Sequence, residues 1–326
     1  MKLGIIGTNW ITVQFVQAAE ATGAFTLAAV YSRRQETAQH FVDETHDAAI
    51  YTDLEAFFAS PIDVVYIASP NGLHAGQAIA ALKAGKHAIV EKPMVTDAHQ
   101  LAALEAAQAN YPDHMVFEAA RQVYDPNFAV IKDYVAAHRS ALIGATLTYA
   151  KYSSRYDAYL AGKDPNIFSP RFGGGALMDL GVYSVYVAVG WFGMPQHVVY
   201  LPDVLKSGVD GSGVASLTYD FGNVTLLMGK NYTTQAPSEI YFGKTTLAFG
   251  PTGVLDNVHT FGETAQSLSQ PQAKSPMADE AAFFAKALTT GDRQAAATAF
   301  ALAKQVHTVM SDLRATTDIR FNTDPE

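Results

Sequence analysis

The chain of 326 residues contains no cysteine. This absence excludes disulfide bonds, thiolate nucleophiles, iron–sulfur clusters and zinc sites built from cysteine. The 10 histidines show no metal-ligand spacing such as His-Glu-x-x-His. The sequence therefore predicts an activity that needs neither a thiol nor a catalytic metal.

Basic residues are few. Lysine and arginine number 22 against 31 aspartates and glutamates, which gives a net charge of −9 at pH 7. A nucleic-acid-binding protein normally carries a basic face, and a polybasic membrane anchor needs a cationic cluster. The charge balance argues against both classes, and it is compatible with a local basic pocket for a phosphate group.

Long uninterrupted hydrophobic runs are also scarce. Residues 180–202 carry no Asp, Glu, Lys or Arg and are long enough to span a bilayer, but glycine and proline divide them into a helix and a strand. The apolar stretch at residues 3–6 is interrupted by Gly4 and followed by Gly7, and it is too short for a signal peptide. We therefore expect a soluble, cytoplasmic protein.

The length predicts roughly two domains, at about 150 residues per domain. In the first 120 residues, short apolar runs alternate with stretches of helical periodicity, which predicts a doubly wound parallel sheet covered by helices. Such sheets bind ligands at the carboxyl ends of their strands. The predicted strands are 2–6, 25–31, 63–68, 87–90 and 115–118, and the predicted helices are 10–21, 35–44, 73–84 and 97–109.

The pattern changes after a predicted helix at residues 125–137. Long runs with a period of about two residues predict a mostly antiparallel sheet. The predicted strands are 142–153, 198–205, 213–221, 224–232 and a hairpin within 239–249, with turns at 221–223 and 242–244. A helix is inserted at 176–191, and two helices, 277–288 and 293–314, end the chain.

These patterns predict an α/β domain at residues 1–121 and an α+β domain with an open sheet at residues 122–326. An open sheet of this size packs one face on helices and leaves its other face uncovered. We therefore expect a homodimer or a higher homo-oligomer that forms through the sheet of the second domain.

The turn between the first predicted strand and the first predicted helix is a candidate phosphate site. A dinucleotide-binding fingerprint reads Gly-x-Gly-x-x-Gly/Ala, and here it begins at Gly7, with Asn9 at the second glycine position and Thr12 at the third. Asparagine tolerates left-handed backbone angles, so the turn remains feasible. The candidate contacts are Gly7, Thr8, Asn9, Trp10 and Ile11. An ordinary strand–helix turn is the alternative.

The end of the second predicted strand bears on the choice of cofactor. An NAD-binding protein usually places an acidic residue there to hold the ribose 2′-hydroxyl, but none occurs before Glu36. Ser32, Arg33 and Arg34 are suited to a 2′-phosphate, which arginine binds with a fork of donors. The pattern favours NADP(H) and allows NAD(H); a pair of solvated arginines is the alternative.

Four stretches of the chain together resemble the Gfo/Idh/MocA family of oxidoreductases. They are residues 5–11, residues 65–74 (VYIASPNGLH), residues 84–93 (AGKHAIVEKP) and residues 173–183 (GGGALMDLGVY). The Glu-Lys-Pro run after a buried strand and the Asp-x-Gly-x-Tyr motif on the inserted helix are the most specific parts. The resemblance covers nearly the whole chain and is strongest to the dihydrodiol dehydrogenase, xylose dehydrogenase and glucose–fructose oxidoreductase branch.

The resemblance implies a Rossmann domain followed by an open-faced sheet domain that often forms dimers. It implies an NAD(P)-dependent reaction on a sugar, a polyol or a related cyclic alcohol or carbonyl. Carried over by position, Lys92 is the active-site lysine, Tyr183 occupies the acid/base position and Asp179 is the carboxylate one helical turn earlier.

These residue types suit hydride transfer, which needs a proton acceptor on the alcohol or a donor to the carbonyl. The ordinary pKa of tyrosine is about 10, and a nearby ammonium such as Lys92 is expected to lower it. Asp179 and Tyr183 are four residues apart and so project from one face of a helix, where Asp179 could orient the substrate or Lys92. The alternatives are a surface lysine, a core tyrosine and an aspartate paired with another cation.

Further candidates follow the ends of the later strands in the first domain. The loop after the fourth strand is expected to border the nicotinamide ribose, and His74 is either a phosphate or ribose contact or a histidine bonded to the backbone. We also expect a cis peptide bond before Pro93. These cofactor candidates are Ala68, Ser69, Pro70, Asn71, His74, Glu91, Lys92 and Arg121, and the substrate candidates are Arg155, Tyr156 and Asn166.

Two other functions remain open at this stage. Some relatives use the cofactor transiently in a glycosidase-like or lyase-like reaction, which would yield product without net NADH. A non-catalytic sensor that binds cofactor is the other. The presence of both Lys92 and Tyr183 argues against a sensor, because binding alone does not require the pair.

Overall fold

The computed structural model describes residues 1–45, 48–262 and 265–324. The chain divides into two compact units, each discontinuous in sequence. The first unit contains Met1–Ala119 and Ala273–Ala301, and the second contains Ala120–Gln272 and Leu302–Glu326. The first division therefore falls after residue 119, where the sequence analysis put it after residue 121, and residues 273–301 join the first unit.

The first unit contains a six-stranded parallel sheet. Its strands are β1 (Lys2–Ile6), β2 (Thr26–Tyr31), β3 (Ala49–Tyr51), β4 (Val64–Ile67), β5 (His87–Glu91) and β6 (Val116–Ala119). They pair in the order β3-β2-β1-β4-β5-β6, which is the Rossmann order. The intervening helices are α1 (Trp10–Ala21), α2 (Gln35–Thr45), α3 (Leu54–Ala59), α4 (His74–Lys83) and α5 (Ala98–Asn110). The predicted doubly wound sheet is confirmed.

Buried strands account for the success of the prediction here. All four residues of β4 are buried, as are the last four of β1, because a parallel sheet covered on both faces selects continuous apolar runs. The sequence analysis missed β3 and α3. The former has three partly or fully exposed residues and the latter only six residues, which is too short for either period to appear.

The second unit contains an eight-stranded sheet. Its strands are β7 (Gly144–Ala150), β8 (His197–Val204), β9 (Asp210–Tyr219), β10 (Gly222–Gly229), β11 (Ser238–Phe242), β12 (Thr245–Phe249), β13 (His259–Phe261) and β14 (Gln266–Ser267). They pair in the order β14-β13-β12-β11-β7-β10-β9-β8. Only β7 and β10 pair in parallel among these strands, so the predicted mostly antiparallel sheet is confirmed. The β9–β10 turn comes one residue earlier than predicted, because Gly222 already pairs with Tyr219.

The inserted helix lies in the core of the second unit. It opens with a π-helical turn at Leu177–Gly181 and continues as α8 (Val182–Phe192); α6 (Pro126–Ala137) and the short α7 (Tyr156–Leu160) precede it. Among the described residues, one helical segment, Pro170–Phe192, is long and apolar enough to cross a membrane, and 89% of its apolar window is buried inside the structure. That burial is typical of a core helix.

The helices at the end of the chain explain why residues 273–301 belong to the first unit. They are α9 (Ala278–Thr290) and α10 (Arg293–Ala315). Phe284 of α9 is fully buried, with its ring centre 6.5 Å from that of Phe15 and 5.0 Å from that of Phe117. Helical periodicity identifies the apolar face of α9 but not the sheet that covers it.

Candidate active site

The turn at residues 7–11, a predicted phosphate site named here the phosphate turn, follows β1 and depends on a glycine. Gly7 has a φ of +103°, in the region that residues with a Cβ rarely adopt. A Cβ at this position would lie 2.4 Å from the carbonyl oxygen of Ala68. The turn thus passes closer to the end of β4 than any other residue type would permit.

Asn9 begins α1 as its N-cap. Its φ of −92° and ψ of 174° are extended, so it does not use the left-handed angles considered in the sequence analysis. Oδ1 accepts hydrogen bonds from the amides of Ile11 (2.9 Å) and Thr12 (3.3 Å), and Nδ2 donates to the Ala68 carbonyl (3.0 Å). This geometry is the usual one for an N-cap asparagine, and it occupies two amides that would otherwise point at an anion.

The side chains expected near a 2′-phosphate follow β2. The Ser32 amide donates to the Tyr51 carbonyl (3.1 Å), and the Arg34 amide donates to Ser32 Oγ (3.4 Å). Arg33 and Arg34 are exposed. Both arginines therefore lie at the carboxyl end of the sheet with solvent-accessible side chains, beside the phosphate turn in strand order.

His74 joins two loops at the carboxyl ends of β4 and β5. Its ring is 1% exposed; Nε2 lies 2.7 Å from the Ser69 carbonyl oxygen and Nδ1 lies 2.9 Å from that of Pro93. Burial lowers the pKa of His74, although both carbonyl contacts oppose that shift. A neutral ring donates to only one of the two oxygens. The backbone-bonded alternative from the sequence analysis describes this geometry.

The loop after β4 contains the other candidates near His74. Ala68 is buried, and Ser69, Pro70 and Asn71 are half-buried. Ser69 Oγ donates to Gln77 Oε1 (2.7 Å), which ties this loop to α4. The loop backbone is thus held on one side by α4 and on the other by His74.

Lys92 directly follows β5 and is half-buried. The peptide bond between Lys92 and Pro93 is cis, as predicted. Its neighbours are anchored, because Glu91 accepts a 2.5 Å hydrogen bond from the Tyr66 hydroxyl and the Met94 amide donates to Glu118 (2.9 Å). The residues on both sides of Lys92 are therefore fixed to the core of the first unit.

In the second unit, Asp179 and Tyr183 lie one turn apart where the π turn passes into α8. Tyr183 is 8% exposed, and its ring packs edge-on against that of Tyr149, with 5.2 Å between centres. The guanidinium of Arg121 lies 5.9 Å from the centre of the Tyr183 ring. π turns inside α-helices occur frequently at functional sites, and this one carries Asp179, with Tyr183 two residues after its end.

Lys230 is a charged residue of this region that the sequence analysis missed. It follows β10, is 2% exposed and forms an ion pair with Asp179 Oδ2. The sequence did offer one sign of this residue, because a lysine inside the apolar run predicted as the strand 224–232 indicates a buried charge. The aspartate has the paired-cation geometry that the sequence analysis left open, with a partner from a distant part of the chain.

The remaining candidates also belong to the second unit. Arg121 also donates to the Gly253 carbonyl (3.4 Å). Tyr156 lies in an aromatic cluster, 5.4 Å from Phe168 between ring centres. Arg155 and Asn166 are exposed; Arg155 directly precedes Tyr156, and Asn166 lies two residues before Phe168.

Comparison with known proteins identifies the family to which this chain belongs. Residues 1–115 match the model of an oxidoreductase family with an NAD-binding Rossmann fold, the Gfo/Idh/MocA family. A relative named scyllo-inositol 2-dehydrogenase (NADP(+)), from Bacillus subtilis (strain 168), is 39% identical over 79% of this chain and 77% of its own. The chain therefore belongs to the Gfo/Idh/MocA family. The family, the fold class and the enzyme class expected from the sequence are confirmed.

The chain is also similar to a second named enzyme in sequence and to a solved structure in fold. The D-xylose 1-dehydrogenase (NADP(+)) 2 of Haloferax volcanii is 32% identical over 68% of this chain and 67% of its own. The solved structure of KijD10, a 3-ketoreductase from Actinomadura kijaniata in complex with NADP and TDP-benzene, has a TM-score of 0.84 at 21% identity and 97% coverage of both chains. The similarity to KijD10 shows a shared fold.

Proposed function

We propose that this protein is a cytoplasmic, NADP(H)-dependent dehydrogenase or reductase that acts on a polyol, a sugar or a related cyclic alcohol or carbonyl. The observation that carries the proposal is the pair of Asp179 and Tyr183, one turn apart at the start of one helix, with the Arg121 cation over the Tyr183 ring. The names of the Bacillus and Haloferax relatives support the substrate class and the cofactor.

The residues around Gly7 fit the phosphates of a dinucleotide. The missing Cβ leaves the backbone open at the turn, and the first amides of a helix have no partner within the helix. Because Asn9 already binds the amides of Ile11 and Thr12, we assign the phosphate contacts to the backbone of residues 7–10. Ser32, Arg33 and Arg34 would bind the 2′-phosphate, since arginine forms charge-assisted hydrogen bonds to phosphate oxygens.

Tyr183 is the proposed acid/base. When bound, the nicotinamide supplies the acceptor or donor of a hydride. In the oxidation direction the Tyr183 oxygen takes the hydroxyl proton of the substrate, and in the reduction direction its hydroxyl returns a proton to the carbonyl oxygen. A positive charge beside a phenol favours the phenolate, which is the proposed contribution of Arg121; Lys92 is proposed to assist as the active-site lysine that the family resemblance implies. Asp179 orients the substrate hydroxyls, and Arg155, Tyr156 and Asn166 are proposed to contact the rest of the substrate.

An enzyme assay tests the function. We expect the purified protein to oxidise scyllo-inositol or D-xylose with NADP⁺, forming one NADPH per carbonyl product, as measured by absorbance and product analysis. Product without net NADPH would instead support transient use of the cofactor. Binding of NADPH with no turnover of either compound would contradict the proposal and favour a sensor.

The preference for NADP(H) has its own test. NADPH at about 100 times its Kd should raise the free energy of unfolding by about 2.7 kcal/mol. Replacing both Arg33 and Arg34 with alanine should raise the Kd for NADPH by roughly tenfold or more, because a hydrogen bond to a charged group contributes about 1.5 kcal/mol or more. The shift caused by NADH should not change. Arg293→Ala, at an exposed arginine of the same unit, is the matched control, and a larger shift with NADH than with NADPH in the native protein would overturn the assignment.

We also propose that the protein is a homo-oligomer that associates through the outer face of the eight-stranded sheet. Val199, Leu201 and Val214 on this face are 47%, 67% and 38% exposed, and Leu201 pairs with Val214, which pairs with Leu227. Adjacent exposed apolar side chains of this kind mark association surfaces. A second copy of the same face is the partner we assign.

Light scattering after size-exclusion chromatography tests this assignment. We expect at least a dimer for the native protein and a monomer for Leu201→Asp, because the change places a charge within the apolar contact. The control is Leu160→Asp, at a leucine of α7 that is 64% exposed. It should leave the measured mass of the oligomer unchanged. A monomeric native protein would refute the proposal.

A further inference from the structure

Lys230 is buried, yet it carries a charge. Its side chain is 3% exposed and forms an ion pair with Asp179, whose side chain is 28% exposed. The ammonium also lies 5.4 Å from the centre of the Phe168 ring, within the range of a cation–π contact. A buried ammonium needs a partner of this kind, since desolvation is otherwise too costly.

The backbone around Lys230 is held by its neighbours in the second unit. Its amide donates to the Gly211 carbonyl (2.8 Å), and its carbonyl accepts from the Ser153 amide (2.8 Å). Met228, two residues earlier and therefore on the same face of the strand, packs on the π turn so closely that a Cβ at Gly181 would lie 2.7 Å from its sulfur. The end of β10 is thus fitted against the π turn.

A second carboxylate, the buried Asp210, holds the start of the same turn. Asp210 Oδ2 accepts hydrogen bonds from the Leu177 amide (2.6 Å) and from the Tyr200 hydroxyl (2.6 Å). Burial raises the pKa of Asp210, and the charge of Lys230 opposes that rise. The π turn is therefore attached at two points, at Leu177 by Asp210 and at Asp179 by Lys230.

We propose that Lys230 is a positioning residue of the active site: its ion pair with Asp179 holds that carboxylate, and through the π turn it sets the direction of Tyr183 towards the substrate. Lys230 is too deeply buried to reach a substrate itself, whereas Asp179 is accessible. The inference rests on the proposed function, because it requires that Asp179 and Tyr183 act on the substrate.

The test measures kcat and KM for scyllo-inositol and D-xylose with NADP⁺ in four variants. These are Lys230→Met, Asp179→Asn, the double variant and Lys163→Met, the last a control at an exposed lysine of the same unit. We expect Lys230→Met to lower kcat by about 10²-fold, the loss that a misplacement of about 1 Å can cause. The KM for NADP⁺ should not change. Because Lys230 acts through Asp179, the double variant should be no slower than Asp179→Asn.

Each other outcome identifies what has failed. An unchanged kcat in Lys230→Met, or losses that multiply in the double variant, would overturn the role of Lys230 while the proposed function stands. A native protein inactive on both compounds would overturn the proposed function and this inference with it, whereas an Asp179→Asn variant with full turnover would overturn this inference alone. If Lys230→Met does not fold, Lys230→Arg decides, because it keeps the charge and moves the donor atoms; an unchanged kcat there counts against the proposal.

Discussion

Replacement of Tyr183 by phenylalanine is expected to lower kcat by about 10²-fold or more, the usual contribution of a general acid or base. The change removes one hydroxyl and keeps the ring, so the packing on Tyr149 and the contact with Arg121 should persist. The cofactor should still bind, because the phosphate turn belongs to the other unit. The measurements are kcat with NADP⁺ and either test substrate, and the thermal shift caused by NADPH.

The control for this variant is Tyr186→Phe on the same helix. Tyr186 is 2% exposed and lies three residues after Tyr183, so its loss reports the general effect of removing a buried hydroxyl from α8. We expect Tyr186→Phe to alter stability more than kcat. Full turnover in Tyr183→Phe would exclude Tyr183 as the acid/base and would leave another group to be found.

The second large effect is expected at Gly7. In Gly7→Ala the new Cβ would lie 2.4 Å from the Ala68 carbonyl oxygen, in a residue with a φ of +103°. The strain of such a backbone costs about 1–3 kcal/mol, and relief of the contact would displace the turn from the end of β4. The variant should unfold at lower urea concentration and lose the thermal shift caused by NADPH.

Gly23→Ala is the control that separates the effect of backbone strain from the effect of the Cβ contact with Ala68. Gly23 also has a positive φ, +71°, but a Cβ there meets nothing within 4 Å. It should lose about 1–2 kcal/mol of stability from backbone strain alone and keep the full NADPH shift. If Gly7→Ala bound NADPH like the native protein, the assignment of the phosphate site to this turn would be wrong.

Local signals in the sequence were enough for much of the fold. The strand at 2–6 and the helix at 10–21 were predicted with the bounds of β1 and α1. Their signals are local, because an apolar run, the glycine that ends it and the residue that caps the next helix are neighbours in sequence. The four-residue spacing of Asp179 and Tyr183 likewise placed both side chains within one turn. The π turn between them could not be predicted, since it depends on how the helix packs on β10.

The roles of single polar residues depended on partners far away in sequence. Asn9 gave no local sign that its amide group would bond to Ala68, and His74 gave none that its ring would contact the Pro93 carbonyl. Both cases were left open by sequence reasoning, because a hydrogen-bond partner is known only when two loops are brought together.

The sequence by itself determined the alternation of strands and helices, the position of Lys92 after a buried strand, and the residues that relate this chain to an oxidoreductase family. The tertiary structure alone decided that residues 273–301 join the first unit and that Lys230 pairs with Asp179, 51 residues away. The physical reason is the same in both cases. Periodicity and spacing report which side of an element is apolar or charged, whereas the partner of that side is chosen by packing and by the cost of burying an unpaired charge.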